Sequence, residues 1–153
     1  MKIIIAAIGK LNKKGPEQAL IDDYISKTRW PIKIEELAEK KALSGRELQE
    51  AESALLWKQV PAGYRVVALD ERGEEPSSRA FAQKIARWRD EGIPGIAFLI
   101  GGADGHVDAT RKKADWLLSF GRMTLPHFLA RVVLTEQIYR AKTILDGHPY
   151  HRD

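Results

Sequence analysis

The sequence predicts an α/β fold, a five-stranded and mostly parallel sheet flanked by helices on both faces. Two observations support this fold class. Short β-branched or apolar runs alternate along the chain with segments of helical period. One run, Ile96–Ile100, has no polar alternation, which is typical of a central parallel strand that is covered on both faces. The length of 153 residues fits a single domain over residues 1–153.

The first part of the chain contains two predicted strands and two predicted helices. The β-branched run Lys2–Ile8 predicts a buried strand. Pro16 is suited to the first turn of a helix, and Ile32–Leu37 alternates as a half-exposed strand does. Ser44 and Glu47 have the spacing of a capping box. We therefore expect a strand, a helix, a second strand and a second helix in this order.

The middle of the chain repeats the alternation. Tyr64–Leu69 predicts a third strand that stops in the charged turn Asp70–Gly73. Ser77 or Ser78 can cap the next helix, whose apolar residues recur with the period of a helix that lies on a sheet. The central strand Ile96–Ile100 follows this helix.

The last third of the chain begins with the glycine-rich loop Gly101–Gly105. A short helix, about Asp108–Ala114, leads to a fifth strand, roughly Asp115–Leu118, and a long apolar helix starts at Pro126. Ligands of parallel α/β sheets bind beyond the carboxyl ends of the strands. We therefore expect a binding site where three loops meet: Asp70–Gly73, Gly101–Gly105 and Ser119–Leu125.

The overall composition favours some partners and excludes some chemistry. The net charge of +4 suits a polyanion such as RNA. The absence of cysteine excludes disulfides, thiolate metal sites and a thiol nucleophile. No apolar run approaches the roughly 18 residues of a membrane span, and Met1–Ile8 is too short for a secretory signal. We expect a cytoplasmic protein without a membrane partner.

The glycine-rich loop is weak evidence for a ligand when it is considered alone. Its spacing fits neither a phosphate-binding Walker loop nor the dinucleotide-binding fingerprint. A tight turn between a strand and a helix explains the pattern equally well. The clusters Lys13-Lys14, Lys40-Lys41 and Arg111–Lys113 are ordinarily solvated surface, and they form an RNA-facing patch only if the fold brings them together.

The last helix and the tail carry several polar residues. His127 and Arg131 share one helical face, and His127 stands at the helix start, where an anion is favoured. Glu136 and Arg140 have the spacing of a structural ion pair. The tail His148–Asp153 contains residue types that are suited to fixed contacts. Its two histidines and Asp153 lack the supporting residues of a metal site, so we predict no bound metal.

Several segments, in this order and at this spacing, resemble the RlmH family from end to end. They are KIIIAAIGK, VVALDERG, FLIGGADG, SFGRMTLPHFLARVVLTEQIYRA and HPYHRD. Members of this family are SPOUT-class methyltransferases that methylate N3 of a pseudouridine in large-subunit ribosomal RNA. The resemblance implies a deep trefoil knot near the carboxyl terminus, S-adenosylmethionine as methyl donor, a homodimer, and assembled ribosomes as substrate.

The resemblance also implies which residues do what. It places the cofactor pocket on Leu69, Gly101, Gly102, Phe120, Gly121, Arg122, Met123, Thr124 and Leu125. Our hypothesis for the catalytic residues, which orient the base and stabilise its anion across a dimer interface, is His127, Arg131, Tyr150, His151 and Arg152. Two alternatives remain at this point: a knotted methyltransferase that acts on transfer RNA, and a nonenzymatic module that binds ribosomes.

Overall fold

Strands and helices alternate along the whole chain in the computed structural model, which describes residues 1–153. The elements are β1 (Lys2–Ile8), α1 (Pro16–Thr28), β2 (Ile32–Leu37), α2 (Gly45–Trp57), β3 (Arg65–Glu74), α3 (Ser78–Asp90), β4 (Gly95–Ile100), α4 (Asp108–Lys113), β5 (Trp116–Leu118) and α5 (His127–Leu145). The predicted order of elements is confirmed. No helix combines the length and the apolar character needed to cross a membrane.

The five strands form one sheet in the order β2-β1-β4-β3-β5. Every neighbouring pair is parallel. Strand β4 lies in the centre, and all of its residues are buried, as the absence of polar alternation predicted. Because the strands are parallel, all of their carboxyl ends lie at one edge of the sheet, which is the edge where a ligand is expected.

Helices cover both faces of the sheet. On one face, Phe81 and Ile85 of α3 and Ile138 of α5 pack in the same apolar cluster as β1 and β4. On the other face, Leu56 of α2 packs against alternate residues of the strands. Burial of each such side chain contributes roughly 1.5–3 kcal/mol to folding. The predicted α/β fold class is confirmed.

The turn predicted at Asp70–Gly73 was wrong, because β3 continues to Glu74. Two contacts, one with β5 and one with the residue that follows it, keep this segment extended. The Glu74 carbonyl accepts a hydrogen bond from Ser119 N at 2.8 Å, and its carboxylate accepts one from Trp116 Nε1 at 2.9 Å. A Cβ on Gly73 would lie 2.6 Å from the backbone of Leu117, so glycine permits this approach. The charged residues occupy an irregularity in the β3–β5 register.

Two of the five predicted helix starts differ in detail. Ser77 caps α3, where its hydroxyl accepts a hydrogen bond from Ala80 N at 3.1 Å. Ser44 precedes α2, but its side chain makes no capping hydrogen bond, so the predicted capping box was wrong. Pro126 is the cap of α5 and not its first helical residue.

Candidate functional site

A cavity of about 660 Å³ opens at the carboxyl ends of β3, β4 and β5. Its walls come from Leu69–Glu71, Ile100–Gly105 and Leu118–His127, with Arg111 and Ala130. The three segments that the sequence placed at strand ends therefore meet at one site, although Asp70–Gly73 belongs to β3 and only its Asp70 and Glu71 line the cavity. The volume lies within the range of about 300–1,000 Å³ that is usual for small-molecule sites.

Every residue that the resemblance assigned to a cofactor lines this cavity. The role of these residues in cofactor binding stays a prediction, but their positions around one cavity are a feature of the structure. They come from the carboxyl end of β3, from the loop after β4, and from the loop between β5 and α5: Leu69, Gly101, Gly102, Phe120, Gly121, Arg122, Met123, Thr124 and Leu125.

The glycines of the loop after β4 permit close packing around the cavity. A Cβ on Gly101 would lie 3.1 Å from the backbone of Gly105. A Cβ on Gly102 would lie 2.8 Å from the carboxylate of Glu52, which α2 supplies. Burial and the neighbouring charges of Asp104 and Glu39 raise the pKa of Glu52. The loop is thus held closely against itself and against α2.

His106 anchors the same loop from inside the protein. Its side chain is buried, and its Nε2 donates a hydrogen bond to the carbonyl of Leu99 at 3.2 Å. Burial lowers the pKa of His106, although the hydrogen bond to Leu99 opposes this shift. Gln49 Nε2 donates to the carbonyl of Asp104 at 2.8 Å. The role of His106 in holding this loop could not be predicted, because a histidine near a helix start has no distinctive pattern.

Arg111 and Asp70 form part of the cavity wall. Arg111 Nε donates to Asp70 Oδ2 at 2.7 Å, and its Nη1 donates to Asp108 Oδ1 at 2.7 Å. The ammonium of Lys113 lies 4.2 Å from the centre of the Trp57 ring. The ordinary interpretation of Arg111–Lys113 as solvated surface was therefore wrong for Arg111, which is paired and only 20% exposed.

His127 and Arg131 have different positions although they share a helical face. His127 lines the cavity. Arg131 is only 1% exposed and does not line it. Its Nη1 donates to Glu36 Oε2 at 2.7 Å, and its Nη2 donates to the carbonyl of Gly9 at 3.2 Å. Within one chain, Arg131 therefore contacts the ends of β1 and β2 and not a cavity ligand.

The Glu36 carboxylate accepts several hydrogen bonds besides the one from Arg131. Its carboxylate also accepts hydrogen bonds from Leu11 N at 2.8 Å and from the Lys13 ammonium. Burial raises the pKa of Glu36, but the hydrogen bonds from Lys13, Leu11 and Arg131 outweigh this effect and lower the pKa to about 2. Glu36 is therefore ionised at neutral pH and neutralises the buried guanidinium. No local sequence signal marks it, because it is one residue of an alternating strand.

The carboxyl-terminal tail is held against α5. Tyr150 Oη donates to Glu136 Oε1 at 2.9 Å, and Arg140 Nη2 lies 2.6 Å from the same oxygen. The predicted ion pair of Glu136 and Arg140 is confirmed. His151 Nδ1 accepts from Arg140 Nη1 at 3.1 Å, and its Nε2 lies 2.8 Å from Asp153 Oδ1. The tail therefore makes the fixed contacts that its composition predicted.

The predicted catalytic residues do not meet in one chain. Burial and the hydrogen bond to Glu136 raise the pKa of Tyr150 to about 12, so its hydroxyl stays protonated at neutral pH. Arg152 is exposed. No residue beyond Ala130 lines the cavity, so His127 is the one member of the predicted set that does. No group of histidines and carboxylates in the chain is arranged to hold a metal ion.

Comparison with known proteins assigns the family. The family model described as "Predicted SPOUT methyltransferase" matches residues 1–151. The chain belongs to the SPOUT methyltransferase family. Ribosomal RNA large subunit methyltransferase H of Paramagnetospirillum magneticum is 52% identical over 99% of this chain and 99% of its own length. The protein of the same name from Rhodospirillum centenum is 47% identical with the same coverage. The resemblance to the RlmH family is confirmed.

The fold of this SPOUT family member also has a solved counterpart. The crystal structure of a probable methyltransferase from Bordetella pertussis Tohama I aligns with a TM-score of 0.54. It covers 92% of this chain and 96% of the other, with 11% sequence identity. At this identity the likeness supports the shared fold alone. Membership of the SPOUT family implies the trefoil knot.

Proposed function

We propose that the protein is an S-adenosylmethionine-dependent methyltransferase that methylates N3 of a pseudouridine in 23S ribosomal RNA. It acts in the cytoplasm, as a homodimer, on assembled ribosomes. The observation that carries the proposal is the convergence of every family cofactor position on one cavity. The names of the most similar relatives, ribosomal RNA large subunit methyltransferase H, support the choice of substrate.

The residues of the cavity fit this donor. Apolar surface for a purine ring is provided by Leu69, Ile100 and Phe120. The backbone of Gly101 and Gly102 forms part of the wall, and neither residue has a side chain that separates this backbone from a ligand. When bound, S-adenosylmethionine supplies an electrophilic methyl group on a sulfonium centre. The loop Phe120–Leu125 encloses the other side of the cavity and orients the bound molecule.

The chemistry of the methyl acceptor, N3 of pseudouridine, determines what the remaining residues must do. N3 of pseudouridine is an imide nitrogen that attacks well only after it has lost its proton. Positioning of the base and stabilisation of its anion therefore carry most of the acceleration. His127 at the cavity rim and Tyr150, His151 and Arg152 of the tail provide hydrogen-bond donors and positive charge for this anion. Arg131 acts as a positioning residue, because its guanidinium holds α5 against Glu36.

A second subunit explains how the tail reaches a cavity. The tail of one chain lies against its own α5 and lines no part of its own cavity. Large apolar side chains are exposed at the cavity rim and at the start of α5, including Met123 at 87% and Leu129 at 45%. Such a patch is typical of a protein interface. Pairing through this patch covers it and brings the tail of one subunit to the cavity of the other.

The experiment that tests the proposal offers labelled S-adenosylmethionine with three substrates from a strain that lacks the modification. They are whole ribosomes, isolated large subunits and transfer RNA. Label in ribosomal RNA is the expected result. Label in transfer RNA alone favours a related knotted methyltransferase, and no label with intact ribosome binding favours a nonenzymatic module. Either outcome contradicts the proposal.

A further inference from the structure

We propose that Lys10, Lys14, Lys40 and Lys41 form a surface that binds ribosomal RNA phosphates beside the cavity. We call this set the lysine surface. The inference rests on the proposed function, because it assigns the residues that hold the RNA while one base enters the site. It commits to RNA phosphates as the partner and not to a membrane or an acidic protein.

The fold brings the two lysine pairs together. Lys10 and Lys14 follow β1, and Lys40 and Lys41 follow β2. Ile8 and Leu37 are partners at the ends of these strands, and Gly9 N donates to the Leu37 carbonyl at 2.8 Å. Both loops therefore leave the same edge of the sheet side by side. An RNA-facing patch was predicted from Lys13-Lys14, Lys40-Lys41 and Arg111–Lys113 only if the fold brings them together. The fold places Lys14 and the pair Lys40-Lys41 at one edge, together with Lys10, whereas Lys13 is paired with Glu36.

The lysine surface adjoins the cavity. Strand β1 lies next to β4, with Ala7 opposite Ile100, and the cavity wall includes Ile100. Adjacent strands are about 4.8 Å apart, so the two loops lie roughly 5 and 10 Å from the end of β4 along this edge. A Cβ on Gly9 would be 3.5 Å from the ring of Phe128, which follows His127. An RNA strand that presents a base to the cavity can therefore continue over the lysine surface.

The charges of the lysine surface are free for a partner. All four lysines are exposed, and none of them forms an ion pair within the chain. The Glu36 carboxylate at the end of β2 is already paired with Lys13 and Arg131. The Glu39 carboxylate accepts a hydrogen bond from the backbone of Lys41 at 3.1 Å. Exposed and unpaired ammonium groups at one edge are the electrostatic footprint of a nucleic-acid contact.

The third basic cluster does not belong to this surface. Arg111 is held by Asp70 and Asp108, and Lys113 lies over the Trp57 ring. Of this cluster, Lys112 alone is exposed without such a contact. Because α4 precedes β5 at the opposite end of the strand order, the RNA is expected to run from the cavity toward β2 and not over α4.

The loop after β1 is prepared for binding before RNA arrives. Leu11 N donates to Glu36 Oε2 at 2.8 Å, and the Gly9 carbonyl accepts from Arg131 at 3.2 Å. Leu11 itself is buried. The backbone between Lys10 and Lys14 is thus fixed, and only the lysine side chains lose freedom on binding. Contacts of this kind with phosphates set the position of an RNA and carry no sequence information.

The test compares two variants that remove the same charge. K10A/K14A/K40A/K41A removes the lysine surface. K2A/K58A/R87A/R89A removes exposed basic residues where β1 begins and where α2 and α3 end, near the amino ends of the strands. Binding to large ribosomal subunits is measured by sedimentation over a range of salt concentrations, and thermal unfolding checks that both variants are folded.

The lysine-surface variant is expected to bind at least about tenfold more weakly at low salt. Its plot of log K against log salt concentration should be shallower by about 3, because each lost phosphate contact removes about 0.7–0.9 from the slope. The control variant should keep both the affinity and the slope. Affinity for S-adenosylmethionine should be unchanged in both variants. Binding to phosphatidylserine vesicles should not differ between the unaltered protein and the lysine-surface variant.

Three results would overturn the lysine surface: equal weakening in both variants, an unchanged salt slope, or no ribosome binding by the unaltered protein. A separate assay of methyl transfer distinguishes this failure from failure of the proposed function. If the protein transfers methyl groups but its affinity for ribosomes does not depend on these lysines, the lysine surface alone is rejected. Binding through the lysines without methyl transfer would reject the proposed function alone.

Discussion

The guanidinium of Arg131 meets the carboxylate of Glu36 at 2.7 Å, although 95 residues separate them in the sequence. The arginine is 1% exposed and the glutamate side chain 12% exposed, so the pair is largely withdrawn from water. Arg131 also donates to the Gly9 carbonyl. Helix α5, which begins at the cavity rim, is therefore fixed to the ends of β1 and β2.

Removal of the charge on Glu36 should destabilise the fold strongly. In E36Q the buried guanidinium of Arg131 loses its counter-charge, which typically costs about 3–5 kcal/mol of unfolding free energy. K13A removes the other, exposed partner of the same carboxylate, and such pairs contribute about 0–1 kcal/mol. Urea unfolding of both variants measures the difference. Equal losses of unfolding free energy in E36Q and K13A would show that the Arg131–Glu36 pair does not fix α5 to the sheet.

Protonation of His106 should weaken the protein below neutral pH. Burial lowers the pKa of His106 below the ordinary 6.5, although the hydrogen bond to Leu99 and the charge of Asp70 oppose this shift, so the folded state resists a proton that the unfolded chain accepts. The stability that neutral His106 contributes is fully present above pH 6.5. As the pH falls below 6.5, the free energy of unfolding decreases by up to about 1.4 kcal/mol per pH unit.

H106Q is the matched control for this prediction, because its amide can donate to the Leu99 carbonyl but does not titrate. Unfolding free energies of the two proteins are compared between about pH 6.5 and 5. The unaltered protein should lose more stability than H106Q over this range. Parallel curves would contradict the prediction.

The two glycines at the cavity should respond differently to alanine. In G101A the new Cβ lies 3.1 Å from backbone atoms of Gly105, and in G102A it lies 2.8 Å from the far end of the flexible Glu52 side chain, which can turn away more easily than backbone. Overpacking of this kind costs about 1–3 kcal/mol, or about tenfold or more in cofactor affinity. E52A should restore binding of S-adenosylmethionine to G102A but not to G101A in calorimetric titrations. Rescue of both, or of neither, would contradict this geometry.

Much of the architecture was predictable because local patterns carry it. The apolar run Ile96–Ile100 predicted the central strand, and parallel strands require their carboxyl ends to share an edge. The convergence of Gly101–Gly105 and Ser119–Leu125 on one cavity follows from that rule alone. The resemblance then supplied residue roles that no periodicity contains.

The features that were missed depend on contacts between distant segments. The extension of β3 requires Trp116 and Ser119 as hydrogen-bond partners of Glu74, and these belong to another strand and its loop. Arg131 was placed correctly on its helical face, but its length carries the guanidinium to Glu36. Helical spacing predicts where a Cα lies and not where a long side chain ends.

The tail should be required for methyl transfer and dispensable for cofactor binding. R152A tests this without disturbing the fold, because Arg152 is exposed and makes no hydrogen bond within the chain. Loss of a group that stabilises a developing anion typically lowers kcat about 100-fold or more. Truncation after Gly147 should abolish transfer, with unchanged affinity for S-adenosylmethionine in both variants. Full activity of the truncated protein would reject the assignment of Tyr150, His151 and Arg152.

We propose above that this cavity serves the methylation of a ribosomal pseudouridine at N3. The most direct measurement incubates unmodified ribosomes with the protein and isotope-labelled S-adenosylmethionine, then digests the 23S RNA to nucleosides for mass spectrometry. We expect label in N3-methylpseudouridine, with far less product from G101A. Label on another nucleoside, or in no nucleoside although the protein binds the donor, would contradict this proposal.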